Sequence, residues 1–348
     1  MTSPSSSICL LLLALIATGC AIEANADGSI NHVVMGDWGG QDTAPYTTQQ
    51  ERVTAKGMGQ VAEKLSATQG LALGDNFYSS GVKSVDSPRF QTTFEDVFVA
   101  DALKYPFVFN VIAGNHDHRG NVSAQIAYTQ RSQRWHFPSE YYSFNESTAD
   151  GDATLQYVMI DTVELCGSSS GMTGDDEVDL LGRELPGPAD AVKADAQWAW
   201  INETLAASTA DFLVVAGHYP VYSICEHGPT TCLRQRLEPM LNQYKVTAYF
   251  NGHDHCAEHL KVGDVDYHVI GSAHENNPST AHRGTQYTPK GALLFHKGLF
   301  GDGGFASVTA SASDGFVVEH YNGNGATLYT APARKARQLS LSASTTTN

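Results

Sequence analysis

The chain has 348 residues, of which 42% are hydrophobic and 17% are charged. That length and composition describe a globular protein with a large buried core in one or two domains. The formal net charge of −16 argues against a nucleic-acid partner, because non-specific binding to a polyanion needs clustered Lys and Arg.

The N-terminus carries an apolar run at residues 8–16 that is too short to span a bilayer, followed by an Ala-x-Ala site at residues 24–26. These features predict a secretory signal peptide over residues 1–26, removed in the mature protein. Because no basic residue precedes the run, a buried first strand or helix stays open as the alternative. Residues 17–20 weakly resemble a bacterial lipoprotein cleavage site, which we rank below ordinary secretion.

Apolar runs rich in Val, Leu and Phe predict buried strands at residues 31–35, 71–73, 106–113, 212–216 and 246–250. Helical patterns lie between them at residues 49–65, 88–99, 123–132, 189–207 and 233–244. The alternation predicts βαβ units and an α/β fold. Runs at residues 266–270, 305–309 and 315–321 have no helices between them and predict a second, more antiparallel sheet.

Two stretches lack a regular pattern. Residues 167–188 are rich in Gly, Ser and acidic residues and predict an exposed loop. The chain from about residue 334 predicts a disordered tail, with Arg334, Lys335 and Arg337 exposed to solvent.

Each of the five predicted strands ends at a Gly beside residues that bind metals. In such sheets ligands gather at the loops that follow the strands' carboxyl ends, so these side chains are expected to meet. Taken singly, each has a more ordinary role as a helix cap, a turn residue, a core aromatic or a partly buried histidine. Together they predict two adjacent metal ions, bound by Asp37, Asp75, Tyr78, Asn115, His218, His253 and His255.

Sequons and cysteines support an oxidising compartment. Residues Asn121, Asn145 and Asn202 begin N-x-S/T triplets and are predicted glycosylation sites. Removal of the signal leaves an even number of cysteines, which allows three pairings: Cys166, Cys225, Cys232 and Cys256.

The five motif segments resemble the metallophosphoesterase pattern, and Tyr78, three residues after Asp75, resembles the mark of the purple acid phosphatases. The small mammalian-type, tartrate-resistant members are more similar still. Their signature stretches resemble residues 89–91, 94–98, 113–128, 135–138 and 217–230. The resemblance spans residues 31–330. It implies one metallophosphoesterase domain over residues 27–333, a four-layer α/β/β/α sandwich of two mixed sheets flanked by helices, with the metals at the strands' carboxyl ends.

The resemblance also divides the ligands between two metals. It implies that Fe(III) is bound by Asp37, Asp75, Tyr78 and His255. It implies that a divalent ion, Fe(II), Zn(II) or Mn(II), is bound by the shared Asp75 with Asn115, His218 and His253. Carboxylate and phenolate oxygens suit a trivalent ion, and an amide with two imidazoles suits a divalent one.

By the same resemblance, the protein is expected to be an acid phosphatase that hydrolyses phosphate monoesters to phosphate and alcohol through a metal-bound hydroxide. His116 and His227 are the expected proton donors to the leaving group, with Glu226 adjusting the protonation of His227. A supporting role for His116 is an equal alternative, and an exposed loop histidine is the ordinary one for His227. A histidine that must be protonated predicts a rate maximum below neutral pH.

The resemblance further implies a disulfide between Cys166 and Cys232. Cys225 and Cys256 depart from the family pattern and form either a second disulfide or two buried thiols. Residues 167–188 align with a region that is cut in the mammalian-type enzymes to raise activity, but their sequence differs, so proteolytic activation is a hypothesis.

The expected partners are small phosphate monoesters and phosphoproteins, without nucleic acid or stable membrane association. The protein is expected to be a monomer, and to be secreted or lysosomal or vacuolar. Two rival functions are a phosphodiesterase or nucleotidase of the wider superfamily and a secreted iron-binding protein. Tyr78 and residues 217–230 argue against the first, and the complete set of ligands and proton donors argues against the second.

Overall fold

A computed structural model describes residues 28–169, 185–286, 288–298 and 301–338. The predicted signal peptide, most of the predicted loop at residues 167–188 and the end of the tail lie outside these ranges. Within them, no helix combines the length and the apolar character needed to cross a bilayer.

The described strands are, in chain order, β1 (Ile30–Met35), β2 (Gln69–Ala72), β3 (Val108–Val111), β4 (Trp135–His136), β5 (Tyr142–Ser147), β6 (Thr154–Met159), β7 (Phe212–Ala216), β8 (Ala248–Asn251), β9 (Ala257–Val262), β10 (Val265–Ile270), β11 (Leu293–Lys297), β12 (Gly304–Ser311), β13 (Gly315–Asn322) and β14 (Thr327–Thr330). The α-helices are α1 (Gln49–Leu65), α2 (Asn115–His118), α3 (Val122–Tyr128), α4 (Thr162–Cys166), α5 (Ala191–Ala207) and α6 (Thr231–Gln243).

The strands form two mixed sheets. The first has the order β14-β13-β12-β1-β2-β3-β4. Strands β1 to β4 are parallel to one another, whereas the pairs β1–β12, β12–β13 and β13–β14 are antiparallel. The second has the order β11-β9-β10-β8-β7-β6-β5, with β6, β7, β8 and β10 parallel. The parallel strands place their carboxyl ends at one edge of each sheet.

The predicted four-layer α/β/β/α arrangement is confirmed. One core joins side chains of both sheets, where Phe316 of the first sheet lies near Phe212 and Phe250 of the second. A separate core lies between the second sheet and α4, α5 and α6. Helix α1 packs on β1 and β12, and its N-terminus carries a capping box in which Thr48 and Glu51 satisfy each other's backbone N–H groups.

The sequence predicts that the five motif strands share one sheet and that the late strands form a second one. The structure instead divides both sets of strands between the two sheets. Strands β1, β2 and β3 belong to the first sheet, whereas β7 and β8 belong to the second. The late strands β12 and β13 extend the first sheet, and β10 joins the second. A buried apolar run specifies a strand but not the sheet it joins, because both sheets offer apolar faces of the same kind.

The predicted helix at residues 88–99 is shorter than expected: a π-helical turn covers Phe90–Glu95, and a 3₁₀ turn follows at Asp101–Leu103. Wide turns of this type are common near functional sites. Arg89, which directly precedes the π-helical turn, donates hydrogen bonds to the carbonyls of Tyr78 and Gly39, which belong to two of the motif loops.

Residues 334–338 do not form the disordered tail that the sequence predicts. The Arg334 guanidinium lies 2.8 Å from the Asp266 carboxylate. The Arg337 guanidinium donates to the carbonyls of Ala210, Tyr244 and Ser208. Composition alone suggests a solvated terminus, but carbonyls exposed at the ends of α5 and α6 provide acceptors that only the fold brings together.

Candidate metal centre and its surroundings

The loops that follow β1, β2 and β3 meet the loops that follow β7 and β8 where the two sheets come together. Four of the predicted ligands on these loops have at most 1% of their surface exposed, and the remaining three are largely buried. The structure brings all seven predicted ligands into this place, namely Asp37, Asp75, Tyr78, Asn115, His218, His253 and His255.

One group of donors surrounds the Tyr78 hydroxyl. This oxygen lies 2.9 Å from Asp37 Oδ1 and 3.1 Å from His255 Nε2. The same Asp37 oxygen lies 3.5 Å from His255 Nε2. Three of the four ligands predicted for Fe(III) therefore already converge on a space the size of one ion.

A second group surrounds the imidazole of His218. Its Nε2 lies 2.9 Å from Asn115 Oδ1 and 3.4 Å from Asp75 Oδ2. The His253 ring lies 5.2 Å from the His218 ring, measured between centroids. One donor atom from each of Asp37, Asp75 and His218 falls within 4.8 Å of the others, so the two groups of donors are neighbours.

Backbone conformation at three of the ligands is unusual. Asp37, Asp75 and His253 have φ values of 54°, 52° and 69°, in the left-handed region that non-glycine residues rarely adopt. Such residues cost about 1–3 kcal/mol each and concentrate at functional sites, where the surrounding structure holds them in place. The backbone therefore points these side chains into the site at the expense of local stability.

Two motif glycines are required by close approach to the carboxylates. A Cβ at Gly114 would lie 2.2 Å from Asp75 Oδ1, and one at Gly252 would lie 2.3 Å from Asp37 Oδ2. No side chain fits at these distances, so both loops need glycine in order to close around the carboxylates.

Electrostatics favours cations at the site. Although burial opposes ionisation, the charges of His218 and His116 hold the pKa of Asp75 well below its ordinary value. Burial likewise opposes charge on the imidazoles, yet Asp75 raises the pKa of His218 to about 10, and Asp37 raises that of His255 to about 9. Burial and then the Asp37 and Asp75 carboxylates raise the pKa of Tyr78, a shift that a highly charged cation reverses. The donors therefore fit metal ions in both number and type.

The calcineurin-like phosphoesterase family matches residues 32–257 of the chain. The chain is 41% identical to human tartrate-resistant acid phosphatase type 5 over 330 residues, which cover 93% of this chain and 98% of that protein. It is also 30% identical to purple acid phosphatase 4 of Arabidopsis thaliana over 332 residues, which cover 92% of this chain and 90% of that protein. It belongs to the purple acid phosphatases.

Solved structures share the fold of this purple acid phosphatase. GAP50, described as the anchor in the inner membrane complex of Plasmodium, has a TM-score of 0.71 at 22% identity, over 89% of this chain and 90% of that chain. The purple acid phosphatase PPD1 from yellow lupin seeds has a TM-score of 0.56 at 16% identity, over 87% of this chain and 53% of that chain. At these identities the likeness concerns the fold alone.

The two predicted proton donors of the purple acid phosphatase flank the metal ligands. His116 Nδ1 lies 2.7 Å from the Ser79 carbonyl, and its Nε2 lies 3.9 Å from Asp75 Oδ2. The His227 ring lies 4.2 Å from the His253 ring in a nearly parallel stack. Glu226 accepts a hydrogen bond from the Asn277 side chain, so its observed contact is with the neighbouring loop.

Two buried aspartates, Asp117 and Asp254, lie within the motifs and position these loops. Nothing in the sequence pattern indicates this role. Asp117 accepts hydrogen bonds from Gly114 N–H at 2.8 Å and Asn76 N–H at 3.0 Å. Burial and the Asp75 carboxylate raise the pKa of Asp117 to about 6. Asp254 accepts from His227 N–H at 2.7 Å and Gly228 N–H at 3.2 Å, which joins the loop of a predicted proton donor to the loop of two predicted ligands.

His274 is a further residue that sequence reasoning missed, since it lies in no motif. Its ring stacks on Tyr78 at a centroid distance of 4.0 Å, and its backbone N–H donates to the Asp37 carbonyl at 2.9 Å. His274 therefore packs against one face of the phenol ring and helps to fix its orientation.

Two disulfides are present among the described residues. The predicted link between Cys166 and Cys232 is confirmed. Cys225 and Cys256 form the second link, one of the two states that the sequence left open. The three sequon asparagines, Asn121, Asn145 and Asn202, are exposed, which leaves their glycosylation a prediction.

Proposed function

We propose that this acid phosphatase hydrolyses phosphate monoesters with a centre of Fe(III) and a divalent ion, Fe(II), Zn(II) or Mn(II). The observation that carries the proposal is the convergence of the Tyr78 hydroxyl with Asp37 and His255 within 3.5 Å. Phenolate and carboxylate oxygens favour a trivalent ion, whereas the Asn115 amide and the His218 imidazole beside it favour a divalent one.

Two metal ions bound by these donors would supply Lewis acidity to the phosphoryl group and a nucleophile from water at acid pH. Asp75, whose Oδ2 lies 3.4 Å from His218 Nε2 and which is also close to Asp37, would contribute to holding both ions. The left-handed backbone at Asp37, Asp75 and His253 keeps the donors oriented before substrate binds.

Two histidines, His116 and His227, are the proposed donors of a proton to the leaving group. In the tautomer that carries its proton on Nδ1, His116 donates to the Ser79 carbonyl and turns Nε2 toward the site. When protonated, Nε2 can give its proton to the oxygen of the departing alcohol. His227, held through its backbone by Asp254, offers a second donor on the opposite side. A need for protonated imidazole gives a rate maximum on the acid side of neutrality.

The substrates we propose are small phosphate monoesters and phosphorylated side chains of proteins. The net charge of −16 supports the exclusion of nucleic acids, since it opposes the approach of a polyanion. We also propose a monomer without stable membrane association that is secreted or delivered to a lysosome or vacuole. The two disulfides and the exposed sequons support the proposed location.

Metal analysis combined with the visible spectrum tests the centre. The wild type should contain iron and a second metal in equal amounts and show a visible charge-transfer band. Tyr78→Phe should retain two metals and lose the band, whereas the control Tyr222→Phe, outside the site, should keep it. One zinc without colour in the wild type would contradict the proposed metals.

Steady-state hydrolysis of p-nitrophenyl phosphate and of its bis-ester tests the reaction. The monoester should be the better substrate by kcat/KM, with a maximum below neutral pH. A preference for the bis-ester would favour the phosphodiesterase, and no turnover of a sample containing both metals would favour the iron-binding protein. A rate that only rises towards alkaline pH would contradict the roles of His116 and His227.

A further inference from the structure

A second cluster of potential metal ligands lies beside the binuclear centre and shares no residue with it. One donor atom from each of Cys225, Cys256, Glu258 and His296 lies within 4.8 Å of the other three. Glu258 on β9 and His296 on β11 are directly opposite in the antiparallel ladder, so their side chains share one face of the sheet. Cys256 directly precedes β9, and Cys225 comes from the loop after β7.

One polar atom in this cluster lacks the hydrogen-bond partner that burial demands. His296 Nε2 is shielded from solvent and has no hydrogen-bond partner. The Glu258 carboxyl is fully buried, accepts from Ile224 N–H and lies 3.1 Å from Cys225 Sγ. Burial and the nearby Asp254 carboxylate raise the pKa of Glu258 to about 8, so a cation is the partner that would stabilise its ionised form. Orphaned polar atoms of this kind in a native structure indicate a function or an absent ion.

We propose that reduction of the Cys225–Cys256 disulfide converts this cluster into a zinc site with four protein ligands: two thiolates, the Glu258 carboxylate and the His296 imidazole. Zinc favours four ligands of these types, and a site with all four positions filled by protein is structural rather than catalytic.

The conversion needs a dithiol reductant. Two electrons pass from the dithiol to the disulfide, the S–S bond breaks, two cysteine thiols form, and the reductant becomes a disulfide. Zinc binding then releases the two thiol protons and the carboxyl proton to solvent. The site therefore alternates between a covalent link and a metal link.

Backbone spacing suits both states. The Cα atoms of the two cysteines are 6.8 Å apart, at the wide end of the range of roughly 4.4–6.8 Å for disulfides. With Zn–S bonds of about 2.3 Å, two sulfurs of a tetrahedral site lie roughly 3.8 Å apart. Side-chain rotation at this spacing separates the sulfurs without moving either loop.

The position of the two cysteines next to residues of the binuclear centre gives the proposed zinc site a structural role. Cys225 directly precedes Glu226 and His227, and Cys256 directly follows the ligand His255. Either link ties the loop of a proton donor to the loop of metal ligands. The zinc form preserves this tie in reducing surroundings, where the disulfide is lost.

Cobalt(II) absorption of the full-length holoenzyme tests the proposal, because thiolate-to-cobalt charge transfer in the near ultraviolet cannot arise from the thiol-free binuclear centre. After dithiol reduction and removal of the reductant, the protein should bind about one further equivalent of cobalt, show this band and lose it when zinc is added. The oxidised protein should show no band. Absence of the band from the reduced protein, or its presence in the oxidised protein, would overturn the proposal.

Matched variants separate a four-ligand site from two thiols that bind metal alone. Cys225→Ser should abolish the band, whereas the double variant Cys166→Ser with Cys232→Ser should retain it. His296→Gln and Glu258→Gln should each weaken cobalt binding about 10-fold or more, since even an outer partner of a metal ligand contributes that much. His136→Gln, on β4 of the other sheet, should bind as the wild type does. Equal affinity in the wild type and both ligand variants would refute the roles of His296 and Glu258.

Discussion

The ligand loops of the two sheets are secured by different means. On the first sheet, Asp117 ties the loop after β2 to the loop after β3 through a buried network. Asn76 extends this network, because its side chain accepts from Trp38 Nε1 and donates to the Ile112 carbonyl and Gln125 Oε1. On the second sheet, Asp254 ties the loop after β7 to the loop after β8, and the Cys225–Cys256 disulfide repeats that tie covalently.

The difference follows from packing. Beneath the first group of loops lies a cluster of buried aromatic rings, in which Trp38 contacts Phe77, Phe98 and Trp135. The second group reaches the rim, where the His255 side chain is 17% exposed. At this rim the Cys225–Cys256 disulfide links the loop after β7 to the loop after β8 covalently.

The largest expected effect comes from Asp75, whose carboxylate lies between the two groups of donors. Asp75→Ala removes the shared carboxylate, so both metals should be lost and kcat should fall on the order of 10³-fold or more. Metal content and monoester turnover measure the outcome. Asp152→Ala, in an exposed turn, is the control and should change neither. Two bound metals with full activity in Asp75→Ala would refute the site.

Removal of either disulfide should destabilise the protein to a similar degree while affecting catalysis differently. With sequence separations of 31 and 66 residues, loop entropy predicts a loss of about 4 kcal/mol in the free energy of unfolding for each link. The pair Cys225→Ser with Cys256→Ser should also lower kcat because His227 loses its tie. The pair Cys166→Ser with Cys232→Ser should leave kcat near the wild-type value. Denaturant unfolding and turnover of the folded variants measure both effects, and equal losses of kcat would contradict the comparison.

The two positioning aspartates should separate metal binding from proton transfer. Asp117→Asn disturbs the loops of Asp75 and Asn115, so metal affinity should fall about 10–100-fold. Asp254→Asn loosens the His227 backbone, so kcat should fall about 10-fold with metal content unchanged. Equilibrium dialysis and kcat measured on metal-saturated protein distinguish them. Loss of metal affinity in Asp254→Asn, with loss of kcat alone in Asp117→Asn, would contradict this division of roles between the two aspartates.

The expected effect with the least consequence for catalysis is the pH dependence of stability on the second sheet. Because the pKa of Glu258 rises from 4.5 to about 8, its contribution is fully present below about pH 4.5 and is lost as pH rises towards 8. Between these values the free energy of unfolding of the oxidised wild type should fall with rising pH relative to that of Glu258→Gln. Unfolding free energies measured at several pH values test this, with Glu203→Gln on the exposed face of α5 as control. Parallel pH profiles for the wild type and Glu258→Gln would contradict the shift.

Local patterns in the sequence predict the strands, the glycines and the ligands, because a buried run, a tight turn and a donor residue leave their mark over a few positions. The partition of β1 to β3 and β7 to β8 between sheets leaves no such mark, since it depends on which apolar faces meet. The same holds for Asp254 and His274, whose roles come from backbone groups far away in the chain. Arg337 is the clearest example, because its acceptors are carbonyls at the ends of two helices.

The left-handed backbone at Asp37, Asp75 and His253 limits how the enzyme could be redesigned for another metal. At these positions a new ligand must suit the backbone as well as the ion, which favours Asn, Asp and Gly and excludes β-branched side chains. Asn115, His218 and His255 do not have this left-handed backbone. Directed evolution of metal preference should therefore begin at these three positions, where a new ligand need not adopt a left-handed conformation.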